Sequence, residues 1–207
     1  MNTATLTPMA NQTPAVVSST KELSGAVWVG RFPGSTSTTA LTPEFRACVE
    51  PFIAAMRAGF STVQIANTFR PDKRAYMMHW SHRIYRNGYD PASVPAFPGV
   101  EIEWVHPTLA QSRNGAYEMV QGFGIEHLGV NVPPALASLH SVRKAIDMKI
   151  FCNGDLTVRN RDGTVVTIDT NPKTGMNAQL KAVGLTYGVV KYVGGNQDKP
   201  HWSTNGH

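Results

Sequence analysis

At 207 residues the chain fits one domain with a sizeable core, and sparse charge (16% Asp, Glu, Lys and Arg) together with 18 Gly and 14 Pro predicts many turns and connections. The formal net charge of +5 suits an anionic partner, yet the basic residues are scattered and no Lys/Arg run exceeds two, and with no zinc-finger, helix-turn-helix or aromatic RNA-binding motif a nucleic-acid partner is not expected. No stretch of 18 or more apolar residues exists, so no transmembrane helix is indicated, and two distant cysteines, Cys48 and Cys152, make no disulfide framework and are expected to be free thiols.

Residues 1–22 read as a flexible Thr/Ala/Ser/Pro-rich arm and 23–207 as a single domain. The first residues lack a positive segment followed by an apolar run, so a secretory signal is not expected. Val27–Val29 suggests an edge strand. Thr42-Pro43-Glu44 is a helix start, Phe45, Val49, Phe52, Ile53 and Met56 follow at helical spacing, Pro51 threatens a kink, and Gly59 closes the helix. Thr62–Asn67 alternates as a strand. Pro71 opens a second helix that runs to about Arg86 and ends at Asn87-Gly88; Tyr76, Met77, Trp80, Ile84 and Tyr85 are its packing residues. His79 and His82 share a face of that helix at a spacing that can bind metal but more often serves packing. Asp90–Gly99, with three prolines, is an irregular connection, and Pro107–Gly122 a third helix with Leu109, Ala116, Met119 and Val120 inward. Ile125–Val130 suggests a short strand and Ala145–Phe151 a strand carrying Asp147. Leu156–Ile168 reads as a hairpin on a two-residue Asp162-Gly163 turn. Gly175–Val183 suggests a helix stopped by Gly184, and Tyr187–Val193 a strand leading to Asp198 and His201. The class is α+β, a small antiparallel sheet packed against helices, without internal repeats.

The chemistry-bearing residues lie in Ser138-Leu-His140-Ser-Val-Arg143-Lys-Ala145-Ile-Asp147 and in Asp198-Lys-Pro-His201. Two imidazoles and a carboxylate supply three zinc ligands and leave the fourth tetrahedral position to water, while a spare carboxylate can take that water's proton. His140 and Asp147 are seven residues apart, so on one strand they would face opposite ways and on one helix stand about two turns apart. They converge only if His140 precedes the strand or a bend intervenes. Glu103-Trp104-Val-His106 repeats the carboxylate-x-x-His spacing and is a rival pair.

The pattern Ser138-x-His140-x-x-Arg143-x-Ala145-x-Asp147 followed by Asp198-Lys-Pro-His201-Trp202 resembles the signature of zinc peptidases of the D-Ala-D-Ala carboxypeptidase family, which includes phage L-alanyl-D-glutamate endopeptidases and shares the Hedgehog fold. The resemblance runs in order from about Ser61 to Trp202, with Arg143 where the family has Gly. It implies a Hedgehog/DD-peptidase-like fold with Zn²⁺ in a surface cleft, held by His140, Asp147 and His201, with Asp198 as the proton acceptor. Arg70, after the strand Thr62–Asn67, matches the family's holder of a substrate carboxylate. The family order favours Asp198 and His201 over Glu103 and His106, which then line the cleft. Ser138 is expected to orient a ligand or substrate, and Trp104 and Trp202 are candidate groove walls. The implied activity is hydrolysis of peptidoglycan stem peptides by a monomer made in the cytoplasm and delivered to the cell wall by a holin, a secretion system or lysis. The alternatives are a non-catalytic zinc-containing binding module on the same fold and a basic nucleic-acid-binding protein.

Overall fold

Thr42 accepts the Phe45 amide, Pro43 fills the first turn, and the helix α1 (Pro43–Ala58) buries Phe45, Val49, Phe52, Ile53 and Met56. The structure, a computed structural model, describes residues 21–59 and 61–207. The helix runs through Pro51, whose missing N–H would have paired with the Ala47 carbonyl; Arg161 donates to that carbonyl instead, at 3.3 Å. Four α-helices are described: α1, α2 (Asp72–Asn87), α3 (Leu109–Phe123) and α4 (Ala178–Thr186). Glycines in the left-handed conformation end α2 (Gly88, φ 66°) and α3 (Gly124, φ 66°).

The strands are β1 (Glu22–Leu23), β2 (Thr62–Asn67), β3 (Ile102–Glu103), β4 (Ala145–Phe151), β5 (Leu156–Arg159), β6 (Val165–Ile168), β7 (Val190–Lys191) and β8 (His201–Ser203). The central sheet is antiparallel, in the order β2-β4-β8-β7. Along β4, Ile146, Met148 and Ile150 point into a core shared with α1, α4 and Trp202, so Asp147 points to the other face. A second core joins α2 and α3 through Tyr76, Met77, Trp80, Ile84, Ala116 and Met119. β1 and β3 form a separate parallel pair, and β5 and β6 a hairpin. The molecule is thus α+β with small, mainly antiparallel sheets.

Several local expectations give way. The expected arm falls outside the described residues as far as residue 20, whereas Glu22 already pairs with Ile102. Ala26–Trp28 is a 3-10 turn rather than a strand: the Trp28 amide closes it on the Gly25 carbonyl, and Trp28 is buried while its indole N–H bonds the Leu23 carbonyl. Residues 125–130 form turns, with the Leu128 amide on the Ile125 carbonyl and the Val132 amide on the Gly129 carbonyl, so the backbone bonds close locally rather than across to a strand. Leu109 is exposed, and Ser112 takes the inward place in that first turn. Tyr85 lies at the surface, stacked on Tyr117. The β5–β6 turn holds three residues, Arg161 to Gly163, inside an Asn160–Thr164 pair, with Gly163 in the left-handed region. Gly184 lies inside α4 because the Trp202 ring comes so close that a Cβ there would stand 2.8 Å from it. The expected strand 187–193 shortens to β7, and a 3-10 turn, Gly195–Asp198, carries Asp198 instead.

Candidate metal centre

The register pairs Asp147 on β4 with His201 on β8, which sets both side chains on the face opposite the core. His140 joins them from a tight turn just before β4. The Ser141 amide bonds the Ser138 carbonyl, the Arg143 amide the His140 carbonyl, and the Lys144 amide the Leu139 carbonyl. Arg143 has φ 62°, the left-handed geometry that favours Gly, so the loop turns as a Gly would turn it. Its guanidinium stacks over Phe69 at 4.5 Å.

His140 Nε2 lies 3.1 Å from Asp147 Oδ1 and 3.2 Å from His201 Nδ1, and His201 Nδ1 lies 3.3 Å from Asp147 Oδ1. Hydrogen bonds alone do not satisfy this triangle, since one proton cannot lie along all three edges. His201 Nε2 is 3.1 Å from the main-chain oxygen of His207, which can only accept, so Nε2 carries a proton and neutral His201 presents a lone pair at Nδ1. A tetrahedral ion with ligands at about 2.0–2.2 Å spaces them about 3.3–3.5 Å apart, close to the observed edges. The donor set of two imidazoles and one carboxylate therefore fits a divalent transition metal. Among the described residues this is the one group of three such ligands brought together. His140 Nδ1 is buried without a hydrogen-bond partner, so only the Nε2 side of that ring makes polar contacts.

Charge shapes the site. Burial opposes ionisation of Asp147, but hydrogen bonds with His140 and His201 outweigh it and hold the carboxyl well below the usual range. Burial works to lower His201, yet Asp147 and then Asp198 raise it above an ordinary histidine. Asp198 Oδ2 stands 3.8 Å from His201 Nδ1, outside the triangle. Burial, then the Asp147 charge, push its carboxyl above the usual value. Arg70 reaches the site from the entry to α2 and donates to Ser138 Oγ at 3.3 Å; its Nε is buried without a partner. Burial lowers the Arg70 pKa despite Asp147 and Asp198. Ser138 thus contacts Arg70 rather than a ligand of the triangle.

A cleft of about 480 Å³ opens over these groups, and its far wall comes from Ile125, Leu128, Val132 and the Pro133-Pro134 segment. Trp202 is not a groove wall: next to His201 on β8 it points the other way, fully buried against Phe52. Trp104 is likewise core, its indole N–H on the Tyr76 hydroxyl. The rival pair does not converge, and neither member lines the cleft: Glu103 accepts the Val105 amide, while His106 Nε2 pairs with Ser24 Oγ at 2.9 Å. His79 is committed to the Pro134 carbonyl at 2.8 Å, and His82 is fully buried within the α2 packing. Cys48 and Cys152 are free. Four neighbours of the site went unread in the sequence: His127 and His207 on the cleft, Tyr192 edge-on to the His201 ring at 5.8 Å, and Lys191 beneath it. A lone lysine in the apolar run Val189-Val190-Lys191-Tyr192-Val193 was the available signal for the last. Among the described residues no helix is long and apolar enough to cross a membrane. No family model, curated protein or solved structure matches the chain.

Proposed function

We propose that the protein is a zinc-dependent peptidase that cleaves peptide bonds in peptidoglycan stem peptides, built on a Hedgehog/DD-peptidase type of fold. One observation supports a hydrolytic metal site: three ligand atoms converge at distances suited to one ion while a fourth group, Asp198, stays 3.8 Å from His201 Nδ1, free of the triangle and beside it; the peptidoglycan substrate and the fold type rest on the resemblance of the Ser138–Asp147 and Asp198–Trp202 segments to the zinc-peptidase signature. A purely structural ion has no use for that spare carboxylate, and structural zinc sites are usually closed by a fourth protein ligand.

His140, Asp147 and His201 would hold the ion. Bound there, zinc supplies a Lewis acid that acidifies water and polarises the scissile carbonyl. Asp198 takes the proton of the attacking water as its oxygen bonds the carbonyl carbon, then delivers that proton to the nitrogen as the C–N bond breaks. Arg70, fixed by Ser138, presents guanidinium N–H groups to a substrate carboxylate. The cleft's apolar far wall excludes water from one side of the peptide.

Digestion of purified peptidoglycan with and without a chelator, with the new termini identified by mass spectrometry, tests this reading. Chelator-sensitive release of peptide termini supports it. Zinc uptake without any release would identify a binding module instead, and absence of zinc uptake would remove the premise.

A further inference from the structure

Lys191 lies on β7, 6% exposed, directly across from Trp202 in the register. Its ammonium donates to the main-chain oxygens of Lys199 at 2.6 Å, His201 at 2.8 Å and Asp198 at 3.3 Å. It stands 5.2 Å from the Trp202 ring, and among the described residues it forms no ion pair. All three N–H bonds are thereby spent on carbonyls. Burying an ammonium without a carboxylate is costly, and packing against Trp202 alone would be served by an uncharged chain of the same length.

The three acceptors belong to one short stretch, Asp198–His201. Two come from the exit of the 3-10 turn, where carbonyls have lost their helical partners, and the third from the first residue of β8. That stretch carries the free carboxylate at one end and a ligand atom at the other. Pro200, between them, fixes one backbone dihedral, and its carbonyl accepts the Met148 amide at 2.8 Å. The ammonium gathers the remaining carbonyls from the opposite side.

We propose that Lys191 is the positioning residue of the metal centre: by drawing the Asp198, Lys199 and His201 carbonyls onto one ammonium, it sets the Asp198 carboxylate and the His201 ligand atom at their mutual distance. The inference rests on the reading of His140, Asp147 and His201 as metal ligands. Lys191 touches neither metal nor substrate and acts only through the backbone.

The test measures Zn²⁺ dissociation constants by chelator competition and the visible spectrum of the Co²⁺-loaded protein, alongside thermal unfolding of the metal-free protein. Lys191→Met is expected to remain folded without metal, at a midpoint lowered by the three carbonyls it leaves without this donor, to bind Zn²⁺ at least ~10-fold more weakly, as loss of a support behind the ligands does, and to alter the Co²⁺ bands. Unchanged affinity and spectrum in a folded Lys191→Met protein overturn the proposal. If that variant does not fold, Lys191→Arg, which keeps the charge but displaces its donors, is judged by the same two outcomes. Failure of both variants to fold assigns Lys191 to the fold and also overturns it. Wild-type protein that takes up neither metal refutes the metal reading itself, a result distinct from these.

Discussion

Asp198 and Arg143 show how single residues define the site. Asp198 is close enough to the ligand triangle to exchange a proton with a water there, yet its oxygens are not part of it. Asp198→Asn keeps the shape and removes the base. Zinc affinity is expected to stay near wild type while turnover on peptidoglycan falls at least ~10²-fold, the lower end of what general acid–base catalysis supplies; paired chelator titration and peptide-release assays check it. Arg70→Lys replaces a planar fork with a point charge, so KM should rise with metal content unchanged. Arg143 occupies the left-handed region at about 1–2 kcal/mol relative to the ordinary helical conformation. Arg143→Gly should retain zinc affinity, because Gly adopts that geometry freely. Arg143→Val should weaken it, because a β-branched residue resists that geometry and would shift His140. Comparison of the two dissociation constants reads this directly.

At the scale of elements, α4 against β8 makes the sharpest case. Replacing a helical Gly by Ala ordinarily adds about 0.8–1.0 kcal/mol of helix propensity. At Gly184 the new Cβ would stand 2.8 Å from the Trp202 ring and 2.9 Å from the Val189 carbonyl oxygen. Gly184→Ala should therefore lower the unfolding midpoint, against the propensity trend. The same contact explains what the sequence did and did not disclose. Helices α1 and α2 were legible because their ends carry local signals, Thr42-Pro43 and Pro71 with Gly88, and α3 through its inward residues Ala116, Met119 and Val120. The strand carrying Asp147 was legible because one face of it is buried, leaving alternation in the sequence. Gly184 was misread as a stop because its purpose, room for an indole from a strand 18 residues later, is not local. Trp202 was misread as a groove wall for the converse reason: adjacency to His201 in sequence means opposite faces on a strand. The grouping of His140, Asp147 and His201 was legible through the order of residues in the zinc-peptidase signature it resembles, whereas the fold of the His140 turn depended on an Arg in a conformation that composition does not suggest. Lys191 was passed over because a buried lysine has no motif; its partners are backbone oxygens.

For the whole molecule, an ion held by His140, Asp147 and His201 would tie together segments that are otherwise held by short ladders: β8 has three residues and β7 two. A ligand that binds only the folded state stabilises it by about 2.7 kcal/mol at 100 times its dissociation constant. Zinc at that excess should raise the unfolding midpoint and a chelator should abolish the gain, as calorimetry would show. Acid should do the same by competition. His201 holds its proton above the ordinary histidine value because Asp147 and Asp198 outweigh its burial. Metal must displace that proton, so zinc affinity should fall as pH drops from above about 6.5, the value for a free histidine. Dissociation constants measured across a pH series test the sign; affinity that rises on acidification would contradict it.

The far wall of the cleft has its own attachment. The segment from Ile125 to Pro134 is fastened to α2, by Arg86 on the Glu126 and Leu128 carbonyls and by His79 on the Pro134 carbonyl, whereas the three ligands come from β4, β8 and the turn before β4. On the proposed function, substrate preference and metal chemistry are therefore inherited through different parts of the chain. The exposed Val132, which lines the cleft, can then change without touching the ligand triangle. A library randomised at that position should yield many folded, zinc-binding variants and few that have lost the metal, with any change in peptide preference read by the same digestion assay.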